Sequence, residues 1–109
     1  MISDRMTKDI DALIQKETDW AIEHLGHFNS RHEGWAVAKE ELEEALNEVG
    51  DTRYHFGKLW QEIKEDQKEL TCITYAAEST HRAIAELVQF AAMLEKMALY
   101  EQKDKEADE

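Results

Sequence analysis

Apolar residues recur at helical spacing almost from one end of the chain to the other. Met6, Ile10, Leu13, Ile14, Ala21 and Leu25 fall three, four or seven positions apart, which predicts a first helix from about Ser3 to Leu25. Ser3 or Asp4 can cap it, and Gly26 stands where a helix C-terminus usually breaks. After the connection His27-Phe28-Asn29, the run Ser30-Arg31-His32-Glu33 reads as a capping box, with Ser30 as N-cap and Glu33 reaching back. The second helix then carries Trp35, Val37, Ala38, Leu42, Ala45, Leu46 and Val49 on one stripe. Gly50-Asp51-Thr52 either ends it or bends it; Phe56, Leu59, Trp60 and Ile63 favour continuation with a kink.

Lys64-Glu65-Asp66-Gln67-Lys68 has no apolar anchor and predicts a turn. A last helix is expected from about Leu70 to Tyr100, with Ala76, Ala83, Leu87, Phe90, Leu94, Met97 and Ala98 on its core stripe. Ile73, Ile84, Val88 and Ala91 widen that stripe beyond half the circumference, so this helix should be packed on several sides. The expected architecture is all-α, a bundle of three to four helices forming one domain over residues 1–102. Lys103 to Glu109 is a charged tail expected to be disordered.

Composition sharpens this picture. The 109 residues include no proline and four glycines, as long uninterrupted helices require. A chain this short buries only a modest core, and self-association would cover a further face. The formal net charge of −12 repels nucleic-acid backbones and anionic membranes, and admits a nucleoside triphosphate only with a cation between them. The single cysteine, Cys72, reads as a buried free thiol. No apolar run approaches the ~20 residues of a membrane span, and Met1-Ile2-Ser3-Asp4-Arg5 lacks the features of a secretory signal, so a cytoplasmic protein is expected.

The candidate chemistry lies in carboxylates on apolar faces. With Glu41 at zero on the helical wheel, the apolar stripe of the second helix runs from roughly −40° to +140°. Glu41 therefore sits inside it, with Glu44 and Glu48 at its edge, whereas Glu40 and Glu43 point away. On the last helix Glu86 falls among Ala83, Phe90, Met93 and Met97, with Gln89 one turn on. An unpaired carboxylate on a packed face costs several kcal/mol, so such groups are normally paired, protonated or metal-bound. Two i, i+3 pairs of oxygen ligands brought face to face would suit Mg²⁺ or Mn²⁺ rather than zinc or copper. The bland alternative is an ordinary glutamate-rich solvent face.

Other signals are weaker. Arg82, one turn before Glu86, reads either as a surface arginine or as a phosphate contact. Trp35 reads as core packing, with stacking on a base as the alternative. Glu78-Ser79-Thr80-His81 has the Glu-x-x-His spacing of di-iron bundles, but no second copy exists.

The segment Ser30 to Glu44, with Glu40-Glu41-Leu42-Glu43-Glu44 as its E-E-x-x-E string, resembles the second helix of the MazG-like nucleotide pyrophosphohydrolases. Ala85 to Met93 resembles that family's later E-x-x-D segment, with Gln89 in the aspartate place. The resemblance implies an all-α NTP pyrophosphatase fold, a homodimer or homotetramer, and Mg²⁺-dependent hydrolysis of a nucleoside triphosphate to monophosphate and pyrophosphate. Carried over by position, Glu41, Glu44 and Glu86 become metal ligands and Gln89 a neutral substitute. Glu48 or Glu40 becomes the base for the attacking water. Gln89 removes a charge from the motif, and the 42-position gap from Glu44 to Glu86 is longer than usual. A catalytically inactive relative serving as an interaction or regulatory protein is the alternative.

Overall fold

Capping chemistry sets the helix ends. Ser3 Oγ accepts the Met6 N–H at 3.1 Å, and Ser30 Oγ accepts the Glu33 N–H at 3.0 Å, each satisfying an orphan donor of a first turn. The computed structural model describes residues 1–108 and contains three helices: α1 (Asp4–Leu25), α2 (Arg31–Lys64) and α3 (Cys72–Asp108). No strand occurs among the described residues, so the chain is all-α. The capping box at Ser30 is only half formed. The Glu33 carboxylate reaches one residue further back than expected and accepts the Asn29 N–H (3.3 Å) and the Asn29 side-chain amide (3.2 Å).

α2 is helical straight through Gly50-Asp51-Thr52. A mid-helix glycine costs about 1 kcal/mol relative to alanine, which packing along α3 offsets. The helix stops at a Schellman turn. The Asp66 N–H bonds Ile63 O (3.1 Å) and the Gln67 N–H bonds Glu62 O (3.1 Å), with Asp66 at φ 51° in the left-handed position usually held by glycine.

Glu62, 8% exposed, ties this turn to the next helix. Its carboxylate accepts the Thr71 hydroxyl (2.9 Å), the Thr71 N–H (3.2 Å) and the Cys72 N–H (2.9 Å), so a side chain of α2 caps the N-terminus of α3. The Cys72 N–H and the Thr71 donors hold this carboxyl below its ordinary value of 4.5. A depressed folded value means that the stabilisation is complete above the ordinary value and disappears as pH falls through the folded one. Glu62→Gln should therefore lower Tm at pH 7 and remove part of the wild-type loss below pH ~4.5. Thermal melts of both proteins between neutral pH and strong acid check this; parallel curves would refute the capping role. Cys72 is half-buried rather than fully buried, and burial together with Glu62 raises its thiol pKa.

The C-terminal segment departs from expectation. α3 continues through Asp108, where a disordered tail was expected from Lys103. Two contacts support the extension: Arg31 grips Glu101 through two bonds, with Nη2 to Oε2 at 2.7 Å, and Gln102 donates to Glu106 at 3.5 Å. Glu109, the last residue of that predicted tail, lies outside the described residues.

α3 is the central element, packed against both α2 and α1; α1 does not pack on α2. The core is small and built from small residues. Ala21, Phe28, Ala38, Ala92 and Met93 form its cluster, and Ala45 and Ala92 are fully buried. Small side chains let α2 and α3 approach closely, and Gly34 is a point of tight packing. A Cβ there would lie 2.8 Å from Met97 Cγ and 3.1 Å from a Phe28 ring carbon. Gly34→Val should destabilise the protein by about 1–3 kcal/mol. A drop in the urea midpoint at constant m measures it, and an unchanged midpoint would show that this packing is looser than the structure implies. Lys96 is also buried, with its ammonium 4.2 Å from the centroid of the Phe28 ring; burial lowers its pKa and Glu33 opposes that shift.

Much of the predicted apolar stripe is not core. Leu46, Val49, Ile84, Leu87 and Leu94 are exposed, as are Met6, Ile10 and Leu13 on α1. Three helices spread over 67 × 30 × 23 Å cover only one side of each stripe. No described helix is long and apolar enough to cross a membrane.

Candidate metal centre

Glu41 and Glu44 are one turn apart on α2, so they rise from the same helix face. Glu86 comes from the facing turn of α3. One carboxylate oxygen from each of the three lies within 4.8 Å of the others. Glu41 and Glu86 are half-buried and Glu44 is exposed, so the cluster opens to solvent from a partly desolvated floor.

Electrostatics at this cluster run against ionisation. Burial raises the Glu41 pKa, and the neighbouring Glu44, Glu86 and Glu40 carboxylates raise it further. Burial also raises that of Glu86, followed by Glu44 and Glu48. Negative charges at this spacing repel one another, and a divalent cation is the simplest partner that would relieve all three at once. The donor set is all hard oxygen, which fits Mg²⁺, Mn²⁺ or Ca²⁺ and does not fit a soft metal.

The surrounding residues divide sharply. Glu48, one turn beyond Glu44, accepts the Arg82 guanidinium at 3.0 Å, and Arg82 also donates to Ser79 Oγ at 3.3 Å. Arg82 is thus both the surface arginine and the clamp on Glu48. Gln89 donates its Nε2–H to Glu17 of α1 at 3.0 Å. An aspartate at 89 would face the Glu17 carboxylate across that distance, so the glutamine suits its neighbour. Glu17 was invisible to sequence reasoning, because 72 positions separate it from Gln89. Glu40 is exposed on the far side of α2, close enough to raise the Glu41 pKa.

Trp35 is not on the buried side of α2, contrary to the stripe reading. It is 61% exposed, with Lys39 Nζ 5.4 Å from its ring centroid. It borders a cleft of about 160 Å³ formed with Leu42, Phe90, Leu94 and Met97, on the opposite flank of the hairpin from the carboxylates. Trp20 and Trp60 are exposed as well, Trp20 stacking on His24 at 4.3 Å.

No protein-family model, curated protein or solved structure matches the chain.

Proposed function

We propose that the chain is a Mg²⁺-dependent nucleoside triphosphate pyrophosphohydrolase of MazG-like type. The observation that carries this reading is the meeting of Glu41, Glu44 and Glu86, from two helices, within 4.8 Å. The two segments of resemblance, Ser30 to Glu44 and Ala85 to Met93, contain these three residues. Glu41 and Glu44 would hold the ion from α2 and Glu86 from α3, with Mn²⁺ able to replace Mg²⁺. When bound, the ion neutralises the triphosphate and polarises the α-phosphorus. Glu48, held in place by Arg82, orients the attacking water and takes its proton. Glu40 lies on the wrong side of α2 for that task and acts through the charge it adds beside Glu41. A homodimer or homotetramer in a reducing cytoplasm belongs to the same proposal.

A second reading, a catalytically inactive relative that acts through its helix faces, is favoured by Gln89, whose amide is tied to Glu17 and brings no charge to the cluster. Pyrophosphate release from a panel of ribo- and deoxyribonucleoside triphosphates, with Mg²⁺ or Mn²⁺, separates the two. Turnover supports the hydrolase. Its absence across the panel overturns that reading, and a metal-induced rise in Tm without turnover leaves a cation-binding helical module.

A further inference from the structure

The contact between Glu17 and Gln89 lacks the usual complement of a half-buried charge. Glu17 is half-buried on α1, yet no lysine, arginine or histidine among the described residues pairs with it. Its one hydrogen-bond partner among them is a neutral amide, Gln89 Nε2, at 3.0 Å. A carboxylate taken partly out of water is ordinarily offset by a cation or by several donors. Glu62 is the ordinary case, with three donors on its carboxylate. Packing holds the Glu17–Gln89 pair in place. Thr18, next to Glu17, is 1% exposed and donates its hydroxyl to Ile14 O at 2.8 Å. Ala21, one turn on from Glu17, is buried in the same cluster as Ala92 and Met93, one turn on from Gln89. Buried small side chains on both helices thus hold α1 against α3 at this level.

The chemistry of the amide sets its direction. A carboxylate can only accept, so Nε2 must face Glu17 and Oε1 must face away from it. Gln89 stands one turn beyond Glu86 on α3, at the i, i+3 spacing that puts two side chains on one face. The end of the amide that α1 takes is therefore the donor, which a cation cannot use. The end left over is the acceptor, a hard oxygen of the kind that Mg²⁺ and Mn²⁺ bind. Without Glu17 the amide is free to turn over and present its N–H groups to the ion. Glu17 itself is outside the group of carboxylates that meet within 4.8 Å, so any action on the ion passes through Gln89.

We infer that Glu17 is a positioning residue of the metal centre: by holding Gln89 Nε2 it keeps Oε1 available as a neutral fourth ligand, in addition to Glu41, Glu44 and Glu86. The inference rests on the metal-centre reading and adds α1 to it, as the element that orients a ligand on α3. Partners of this kind, which hold a ligand without touching the metal, set both its direction and its affinity. The pairing also accounts for the residue type at 89. An aspartate there would repel Glu17, whereas a glutamine is oriented by it. The tie to Glu17 thus equips Gln89 for the site and does not withdraw it.

Mn²⁺ titration of the full chain, with the free ion read by electron paramagnetic resonance, tests this without turnover. Glu17→Ala should raise the Kd for Mn²⁺ about 10–100-fold, the scale for losing a partner that orients a ligand. Gln89→Ala should raise it comparably, and the double variant no further than either single one, because both act through one oxygen. Glu17→Gln combined with Gln89→Glu exchanges donor and acceptor across the same contact, and should bind Mn²⁺ at least as tightly as the wild type. Melting in a chelator gives the readout for a purely structural role. An unchanged Kd in Glu17→Ala, whatever its metal-free Tm, would overturn the inference. So would additive losses in the double variant, or an exchanged pair that fails to restore binding. Each of these leaves the metal centre standing, since the wild type still binds. A wild type that binds neither Mn²⁺ nor Mg²⁺ removes the centre and this inference together.

Discussion

Mg²⁺ at a hundredfold excess over its Kd should stabilise the wild type by about 2.7 kcal/mol, a rise in Tm of roughly 10–20 °C for a domain of this size. Glu41→Gln and Glu86→Gln should each abolish that rise and reduce pyrophosphate release at least ~10²-fold. The expectation follows from the geometry: either substitution removes one of three ligand oxygens drawn from two helices, and a pair of carboxylates holds a hard cation poorly. Glu43→Gln is the control, since it removes a charge from α2 on the face away from the cluster, where Lys39 meets it at 3.7 Å. Calorimetry with and without Mg²⁺, paired with the turnover assay, separates loss of the ion from loss of fold. Equal Mg²⁺ stabilisation in the wild type and in both cluster variants would remove the basis for the functional proposal.

The same cluster should make the metal-free protein respond to pH in the opposite sense from most carboxylates. Glu41 and Glu86 have folded pKa values above their ordinary 4.5, because burial and neighbouring carboxylates disfavour their charged forms. Between the ordinary and the raised value the folded state binds more protons than the unfolded one, so stability from these groups rises as pH falls through that window. Glu62 and Glu101 act the other way. Their folded values are depressed, by backbone and hydroxyl donors at Glu62 and by Arg31 at Glu101, and their contribution is lost at lower pH. Without metal, Tm should therefore pass through a maximum in mild acid. Saturating Mg²⁺ should move that maximum toward neutrality, because the cation replaces the protons. Glu86→Gln in the presence of a chelator should melt higher than the wild type at pH 7, by up to about 1 kcal/mol, the scale of a half-exposed charge interaction. A monotonic fall in the wild-type Tm from pH 7 downward, with or without chelator, would show that the three carboxylates do not strain the apo fold.

The functional residues differ in how far they could be read along the chain. Glu41, Glu44 and Glu86 stand out because a helical wheel places Glu41 and Glu86 on apolar stripes and Glu44 one turn on at the edge, and one wheel needs only local sequence. Glu62 and Glu17 carry no such mark. Each acts on a partner from another segment, Glu62 on the first amides of α3 and Glu17 on Gln89, and nothing in an acidic helix distinguishes a capping glutamate from a solvated one. Arg82 was legible as a surface group near Glu86; that it clamps Glu48 depends on the pairing of α2 with α3. Trp35 was misplaced because a wheel reports apolar faces without saying which neighbour covers them.

Amino-acid pattern alone determined the all-α class, the start of α1 and α2, the place of the turn between α2 and α3, and the candidate ligands. These depend on capping side chains, helix propensity and spacing, all of which act within a few residues. Only the tertiary structure decided that α3 is central, that its far end is held by Arg31, and that alanines line much of the buried half of the stripes while most of the large aliphatic side chains stay outside. The physical reason is that each long helix carries more apolar surface than its neighbours can cover. Which part is covered depends on how closely the backbones approach, and that is settled by contacts between residues far apart in the chain.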